Sequence, residues 1–169
     1  MIETGNIDEV AVWQTLETVM DPEVPVLSVI DLGIVRKIEI LPGGAGIICT
    51  ITPTYSGCPA TDVINLSIRM ALLQLGFKHI EIKTALSPAW TTEWMTQAGK
   101  EKLKAYGIAP PNPQQIVCTI DAFQQEEAVQ CPHCNSYHTT LISRFGSTAC
   151  KALYKCEDCK EPFDYFKCH

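Results

Sequence analysis

A doubled C-x-x-C pattern, Cys131-Pro132-His133-Cys134 followed after 21 residues by Cys156-Glu157-Asp158-Cys159, decides the fold of the C-terminal part of the chain. Each half is typical of a tight turn that directs two thiolates at one point, so the pair provides the four ligands of a tetrahedral metal site. A segment of about 40 residues buries too little core to fold alone, and metal binding therefore folds it. The spacing predicts a zinc ribbon, two short hairpins held by one structural Zn²⁺ on Cys131, Cys134, Cys156 and Cys159.

Two other uses of these four thiols stay open at this point. They could hold a rubredoxin-type iron for electron transfer, or they could pair as disulfides. The start MIETGNIDEV has no basic residues followed by an apolar run, which predicts no secretory signal. Nine cysteines in a cytoplasmic chain favour metal and redox chemistry over disulfides. Cys150 and Cys168 are further candidate ligands, either in place of one of the four or in a second, labile site.

The charge of the chain excludes two classes of partner. A formal net charge of −6 argues against non-specific binding to nucleic acid or to an anionic membrane. From residue 126 onward, five basic residues face six acidic ones, so the ribbon also lacks a basic stripe. The longest apolar stretch, around residues 70–73, is too short to span a bilayer. We therefore expect a cytoplasmic protein without nucleic-acid or membrane partners.

The part before the ribbon predicts the element order α-β-β-α-β-α from its hydrophobic periodicity. This order predicts an α+β sandwich in which helices pack on a three-stranded sheet, with the third strand parallel to a neighbour. The predicted elements are a helix capped by Asp8 that ends at Asp21-Pro22, strands 34–40 and 46–52, a long helix ending at Gly76, a strand 79–85, and a last helix from Thr91 or Thr92 to about Tyr106.

Domain boundaries follow from a proline-rich segment. Residues 109–115, with the sequence Ala-Pro-Pro-Asn-Pro-Gln-Gln, are typical of a stiff linker. We expect an N-terminal α/β domain over 1–108, a linker over 109–128 and the zinc ribbon over 129–169. A short strand over 116–120 could dock on either side.

Cys58 is the first candidate for chemistry in the N-terminal domain. It follows Gly57 and precedes Pro59, where the long helix is predicted to begin. Backbone N–H groups and the helix dipole at such a position favour the thiolate, which attacks electrophiles or binds metal. The alternative is a small buried residue that closes the helix. Asp21 and Glu23 lie in a proline-stiffened loop, where they are either acidic partners of Cys58 or part of a solvated turn.

Two tryptophans and two cysteines complete the set of candidates. Trp90 and Trp94 could form a ligand-facing wall or a partner surface, although core packing of at least one of them is the simpler expectation. Cys49 and Cys118 lie in apolar, strand-like contexts and are expected to be buried packing residues.

Four motifs of the N-terminal part resemble the metal–sulfur cluster assembly factor family, which carries the MIP18-like (DUF59) domain. They are Asp21-Pro22-Glu23, Asp31-Leu32-Gly33, Thr52-Pro53-Thr54-Tyr55-Ser56-Gly57-Cys58-Pro59 and Ser87-Pro88-Ala89-Trp90-Thr91-Thr92. The resemblance implies a role in iron–sulfur cluster assembly or delivery. It makes Cys58 the functional thiol, and Asp21 and Glu23 its acidic turn.

With the ribbon included, nearly the whole chain resembles the D-subunit family of the phenylacetyl-CoA epoxidase (ring 1,2-epoxidase) system. That resemblance implies an accessory component without a catalytic step of its own in a multicomponent monooxygenase of phenylacetate degradation. It also implies a role in maturing the [2Fe–2S] cluster of the iron–sulfur flavin reductase. The chain itself has no paired Glu-x-x-His motif for a di-iron site and no GxGxxG loop.

Three functions therefore remain open. In the first, Cys58 holds iron or a [2Fe–2S] cluster transiently and the ribbon docks on other epoxidase subunits, especially the reductase. One thiol per chain is too few for a cluster, which suggests a homodimer that shares it. In the second, the chain is a structural adaptor of the epoxidase complex. In the third, it is a small electron carrier with four-thiolate iron in the ribbon.

Overall fold

The computed structural model of the chain describes residues 8–55, 57–111 and 129–167. The chain forms two compact units, Met1–Trp90 and Thr91–His169. Helices and mixed sheets confirm the predicted α+β class. In the part of the chain that is described, no helix combines the length and the apolar character needed to cross a membrane.

The first unit carries five elements in the predicted order. These are α1 (Glu9–Glu17), β1 (Val35–Ile40), β2 (Gly46–Ile51), α2 (Ala60–Leu75) and β3 (His79–Thr84). The sheet order is β1-β2-β3, with β1 antiparallel to β2 and β3 parallel to β2. The parallel pair requires a crossover, which α2 provides, and this confirms the predicted arrangement of the third strand.

The core of the first unit lies on one face of the sheet, beneath the helices. The side chains without solvent exposure include Ile47, Cys49 and Ile51 of β2, Ile68 and Leu72 of α2, and Val12 and Leu16 of α1. The β2 residues alternate with partly exposed ones because successive side chains of a strand point to opposite faces. The α2 residues repeat every four positions, as expected for one face of a helix.

Helix α1 begins as predicted but ends earlier. The side chain of Asp8 accepts a hydrogen bond from Val10 N, which confirms the predicted N-cap. The prediction that the helix continues to Asp21-Pro22 is wrong, since it ends at Glu17. Beyond it, the backbone pairs with residues 27–29 instead: Asp21 N donates to Leu27 O over 2.8 Å, and Val29 N donates to Val19 O over 2.9 Å. These tertiary hydrogen bonds replace the last predicted helical turn.

Trp90 is a core residue of the first unit. Its side chain is 4% exposed, and its Nε1 donates a 2.8 Å hydrogen bond to the carbonyl of Leu32. This contact ties the segment after β3 to the loop before β1. The interpretation of Trp90 as core is therefore favoured over a ligand-facing wall.

Substitution of Trp90 by phenylalanine is expected to lower the free energy of unfolding by about 1–3 kcal/mol, because the buried carbonyl of Leu32 loses its donor. Urea denaturation followed by circular dichroism measures the change. Trp13 provides a matched control in the same unit, since its Nε1 donates over 3.2 Å to the exposed carboxylate of Glu9. Trp13→Phe should cost only a few tenths of a kcal/mol, because water replaces that partner. Equal effects of the two substitutions would contradict the role of the Leu32 contact.

The second unit begins differently from the prediction. The sequence predicts a single helix from Thr91 or Thr92, but a 3₁₀ turn (Thr92–Trp94) comes first and α3 (Gln97–Tyr106) follows. Met95 adopts an extended conformation that separates the two, and the hydroxyl of Thr96 caps α3 by accepting from Gly99 N over 2.9 Å. Both helical segments lie in the second unit, Thr91–His169, which also contains the ribbon.

The remaining strands form a sheet in the order β4-β7-β6-β5. They are β4 (Ile108–Ala109), β5 (Thr139–Ser143), β6 (Lys151–Cys156) and β7 (Pro162–Phe166). The antiparallel strands β5, β6 and β7 form the expected ribbon, and β4 adds a short parallel strand next to β7. The predicted boundaries at 108 and 129 stay a prediction, since the predicted strand 116–120 and residues 112–128 lie outside the described residues.

Candidate functional site

The four cysteines of the doubled pattern lie together at one end of the ribbon. The sulfur atoms of Cys131, Cys134, Cys156 and Cys159 all lie within 4.8 Å of one another. The sulfurs of Cys131 and Cys159 are 3.7 Å apart, and those of Cys134 and Cys156 are 3.5 Å apart. A disulfide needs about 2.05 Å, whereas four sulfurs about 2.3 Å from a tetrahedral zinc are about 3.8 Å apart. The geometry therefore fits a four-coordinate metal and excludes disulfides between these pairs.

Both knuckles turn in the same way. Directly after the second cysteine of each knuckle, one residue adopts a positive φ, 62° at Asn135 and 68° at Lys160. This left-handed conformation reverses the chain, and asparagine adopts it more readily than most residues. Backbone hydrogen bonds close each turn, with Asn135 N donating to Cys131 O over 2.9 Å and Cys156 N donating to Glu161 O over 3.0 Å.

The protonation chemistry of the thiols also points to a bound cation. Burial raises the pKa of Cys156, but hydrogen bonds from the backbone N–H groups of Cys159 and Asp158 bring it down to about 7. The N–H of Glu161 lowers the pKa of Cys159, yet burial and the neighbouring cysteines raise it to about 12. Cys156 and Cys159 therefore resist ionising together. A coordinated metal ion removes this conflict because it holds each ligand as thiolate.

Cys150, one of the two extra candidate ligands, does not join this cluster. Cys150 is buried, and its sulfur lies 3.1 Å from the hydroxyl of Thr148. It is absent from the set of sulfurs that lie within metal-binding distance of one another. Cys168 lies outside the described residues.

Cys58 lines a small cavity in the first unit. It is half-buried and stands before α2, with its carbonyl accepting a 3.1 Å hydrogen bond from Thr61 N. Gly57 has a φ of 83°, a conformation that turns the chain just before the thiol. The cavity has a volume of about 10 Å³, about the room that one water molecule needs. Its walls are Asp21, Ile34, Ile51, Pro53, Thr54, Cys58, Thr61 and Ile64.

The structure brings Asp21, but not Glu23, to the wall of this cavity. Asp21 is 7% exposed, and its Oδ1 accepts hydrogen bonds of 2.7 Å from the backbone N–H groups of both Glu23 and Val24. The carboxylate thus holds the proline-containing turn in shape, and Asp21 lines the same cavity as Cys58. Glu23 contributes its backbone N–H to this turn, and its side chain is not one of the lining groups.

Other features of the first unit were less accessible to sequence reasoning. Thr54 and Thr61 lie on either side of Cys58 in the chain and line its cavity, a placement that only the fold reveals. Cys49 is fully buried and burial raises its pKa to about 12, as expected for a packing residue. Cys118 lies outside the described residues.

Four apolar side chains at a 3-4-3 spacing stay exposed along one stripe of α2, namely Val63, Leu66, Met70 and Leu73.

Family models match both parts of the chain. Residues 9–83 match the family described as iron-sulfur cluster assembly protein. Residues 117–167 match the PaaD zinc beta ribbon domain. The first match covers most of the unit with Cys58, and the second covers all four clustered cysteines. The predicted MIP18-like domain and zinc ribbon are thereby confirmed.

Solved structures share the fold of the N-terminal part. A domain of unknown function DUF59 from Bacillus anthracis is 26% identical, with a TM-score of 0.52 over 56% of this chain and 90% of that one. A conserved hypothetical protein from Thermotoga maritima is 27% identical, with a TM-score of 0.50 over 58% of this chain and 95% of that one.

Two proteins are similar to this chain, one over about half of its length and the other over nearly all of it. An Fe-S protein maturation auxiliary factor of Porphyromonas gingivalis (strain ATCC BAA-308 / W83) is 36% identical over 84 residues, which are 48% of this chain and 77% of that protein. The D component of the 1,2-phenylacetyl-CoA epoxidase of Escherichia coli (strain K12) is 49% identical over 157 residues, which are 93% of this chain and 91% of that protein. The chain therefore belongs to the D-subunit family of phenylacetyl-CoA epoxidases, with an iron–sulfur cluster assembly domain followed by a zinc ribbon.

Proposed function

We propose that the chain is a cytoplasmic accessory component of a phenylacetyl-CoA epoxidase system and delivers iron or a [2Fe–2S] cluster to the iron–sulfur flavin reductase. The observation that carries this proposal is the cavity shared by Cys58 and Asp21 in a domain of the iron–sulfur cluster assembly family. A cysteine and an aspartate that line the same cavity offer ligand types that suit iron. The chain itself performs no catalytic step in this proposal.

The position of Cys58 suits transient binding of this cargo. The residue directly precedes Pro59, the N-cap of α2, which makes no side-chain hydrogen bond to the first turn of the helix. Cys58 therefore lies beside the positive end of the helix dipole, which stabilises the negative charge of a metal-bound sulfur. A half-buried sulfur can bind metal and still be reached by a receiving protein. Asp21 is held by two backbone N–H groups, so its carboxylate is oriented before the cargo arrives.

In this proposal the ribbon holds one structural Zn²⁺ on Cys131, Cys134, Cys156 and Cys159. A site closed by four thiolates has no open position for a substrate, which suits a structural ion better than a delivered one. The ion would hold the two knuckles in place, so that the ribbon can dock on the other epoxidase subunits.

The surface of α2 supports a protein partner next to Cys58. The exposed stripe begins at Val63, five residues after the thiol, and runs along the helix to Leu73. Contiguous exposed apolar side chains are typical of protein-binding surfaces. We assign this surface to the receiving reductase, and a homodimer that shares one cluster between two Cys58 thiols is the second candidate.

The test is the [2Fe–2S] occupancy of the reductase component when it is produced together with the Cys58→Ser chain. Low occupancy supports delivery through this thiol. Full occupancy contradicts it and favours the second candidate function, a structural adaptor of the epoxidase complex, which the match to an epoxidase component also supports.

A further inference from the structure

A small hydrogen-bond network joins the two cysteine knuckles outside the metal cluster. Asp158 lies in the second knuckle, between Cys156 and Cys159, while Ser136 and His138 directly follow the first knuckle. The hydroxyl of Ser136 donates to Oδ2 of Asp158 in a short hydrogen bond. Nδ1 of His138 lies 3.1 Å from Oδ1 of Asp158 and must donate to it, since a carboxylate only accepts.

Two backbone N–H groups donate further hydrogen bonds within the network. His138 N donates to the hydroxyl of Ser136 over 2.9 Å, and Glu157 N donates to His138 O over 2.8 Å. Each oxygen of the Asp158 carboxylate thus binds a side chain from the far knuckle, 20 and 22 residues away in sequence. The contact pattern links the knuckles in space without using a cysteine.

The same residues also supply N–H groups to the metal ligands. The backbone N–H of Asp158 donates to the sulfur of Cys156, and the backbone N–H of Ser136 donates to the sulfur of Cys134. Hydrogen bonds from N–H groups to a thiolate stabilise its charge and set how strongly it binds metal. The Asp158–Ser136 contact therefore joins two such donors, one from each knuckle.

We propose that Asp158 is a positioning residue for the ribbon metal. Its carboxylate holds the two knuckles together and slows release of the bound ion, and we call this contact the clasp. This inference rests on the four-cysteine zinc site of the proposed function. It deepens that function because the zinc ion stays bound in the ribbon, whereas the iron or cluster at Cys58 is delivered to the reductase.

The experiment measures zinc release from the full-length, zinc-loaded chain into an excess of a coloured chelator. Asp158→Ala is expected to raise the rate of zinc release about tenfold or more. Loss of a residue that contacts the metal ligands, without binding the metal itself, typically lowers metal affinity by about 10–100-fold, and tenfold is the lower end of that range. Ser136→Ala should act in the same direction. The double variant should release zinc more slowly than the product of the two single effects predicts, because both changes break the Asp158–Ser136 contact.

Glu161→Gln provides the matched control. Glu161 is exposed and lies two residues after Cys159. Its backbone groups belong to the second knuckle, but the substitution changes only the side chain and removes the same charge near the same knuckle. Its release rate should equal that of the unchanged chain. An Asp158→Ala rate equal to the Glu161→Gln rate, or a double variant whose effect is the product of the single ones, would overturn the clasp.

Cobalt substitution gives a second readout that a general loss of stability does not move. Co²⁺ bound by four thiolates has a thiolate-to-metal charge-transfer band, which depends on the N–H donors to the sulfurs. Asp158→Asn keeps the shape of the side chain and should shift this band, whereas Glu161→Gln should not. An unshifted band contradicts the positioning role. A parent chain without bound zinc would contradict the proposed ribbon site itself. That result differs from failure of the Asp158 proposal, in which zinc is bound but Asp158→Ala and Glu161→Gln release it at the same rate.

Discussion

Replacement of Cys156 by serine is expected to remove the metal from the ribbon and to unfold residues 129–167, while the Met1–Trp90 unit keeps its structure. Cys156 is fully buried, and its sulfur lies 3.5 Å from that of Cys134. Serine places a harder and shorter ligand there, and three thiolates cannot close a tetrahedral site. Structural zinc contributes about 10–16 kcal/mol in small zinc domains, which matches or exceeds the whole stability of a typical domain, about 5–15 kcal/mol.

Metal analysis of the purified chain measures this effect directly. The parent chain should carry one zinc, the Cys156→Ser chain none, and amide hydrogen exchange should show loss of protection in β6 and β7. The same sample tests the electron-carrier alternative, because ferric iron on four thiolates is coloured and zinc is not.

Cys150→Ser provides the control for the loss of a thiol. Cys150 is buried in the same unit, but its sulfur contacts Thr148 and lies outside the cluster. This variant should keep its zinc. Loss of zinc from Cys150→Ser, together with its retention in Cys156→Ser, would mean that Cys150 is a ligand in place of Cys156.

Local signals explain why much of the fold could be predicted. The alternation in residues 46–52 indicates β2, Gly76 is expected to end α2, and the C-x-x-C spacing indicates both knuckles. Each of these signals lies within a few residues of the feature that it predicts. Gly76 does end α2, with a φ of 118°.

The features that could not be predicted depend on contacts between distant residues. The early end of α1 results from backbone pairing with residues 27–29, and β4 is a strand only because its two residues pair with β7. The Asp158–Ser136 contact joins residues 22 positions apart. Hydrophobic periodicity also could not show that α2 leaves a second apolar stripe exposed, since buried and exposed leucines look alike in the sequence.

The Cys58→Ser chain is expected to lose its iron or cluster cargo and to leave the reductase with background [2Fe–2S] occupancy. Loss of a residue that only contacts a metal ligand typically lowers metal affinity by about 10–100-fold. Loss of the thiolate ligand itself should therefore lower the affinity for the cargo by more than that. The fold should persist, because Cys58 is only half-buried and its backbone hydrogen bond to Thr61 does not use the sulfur. Iron and sulfide analysis of the co-produced reductase measures the occupancy, and circular dichroism of the variant checks its fold.

The two acidic residues near Cys58 should differ in their effects. Asp21→Asn removes the charge but keeps an oxygen that can accept from the N–H groups of Glu23 and Val24, so the turn should hold its shape. Because Asp21 lines the cavity, its loss of charge should reduce cargo binding without unfolding the unit. Glu23→Gln should have little effect, since the Glu23 side chain does not line the cavity. Equal effects of the two substitutions would contradict a direct role for the Asp21 carboxylate.

The comparison of Cys58→Ser with Cys150→Ser separates delivery from a structural adaptor. Both substitutions replace one thiol, but only Cys58 lines the cavity with Asp21, and Cys150 lies in the ribbon unit. Delivery predicts an empty reductase with the first variant and a loaded one with the second, while both variants still co-purify with the epoxidase subunits. An adaptor predicts a loaded reductase in both cases, because the ribbon and its metal remain intact. A loaded reductase with Cys58→Ser would therefore reject delivery while leaving the zinc ribbon and its clasp in place.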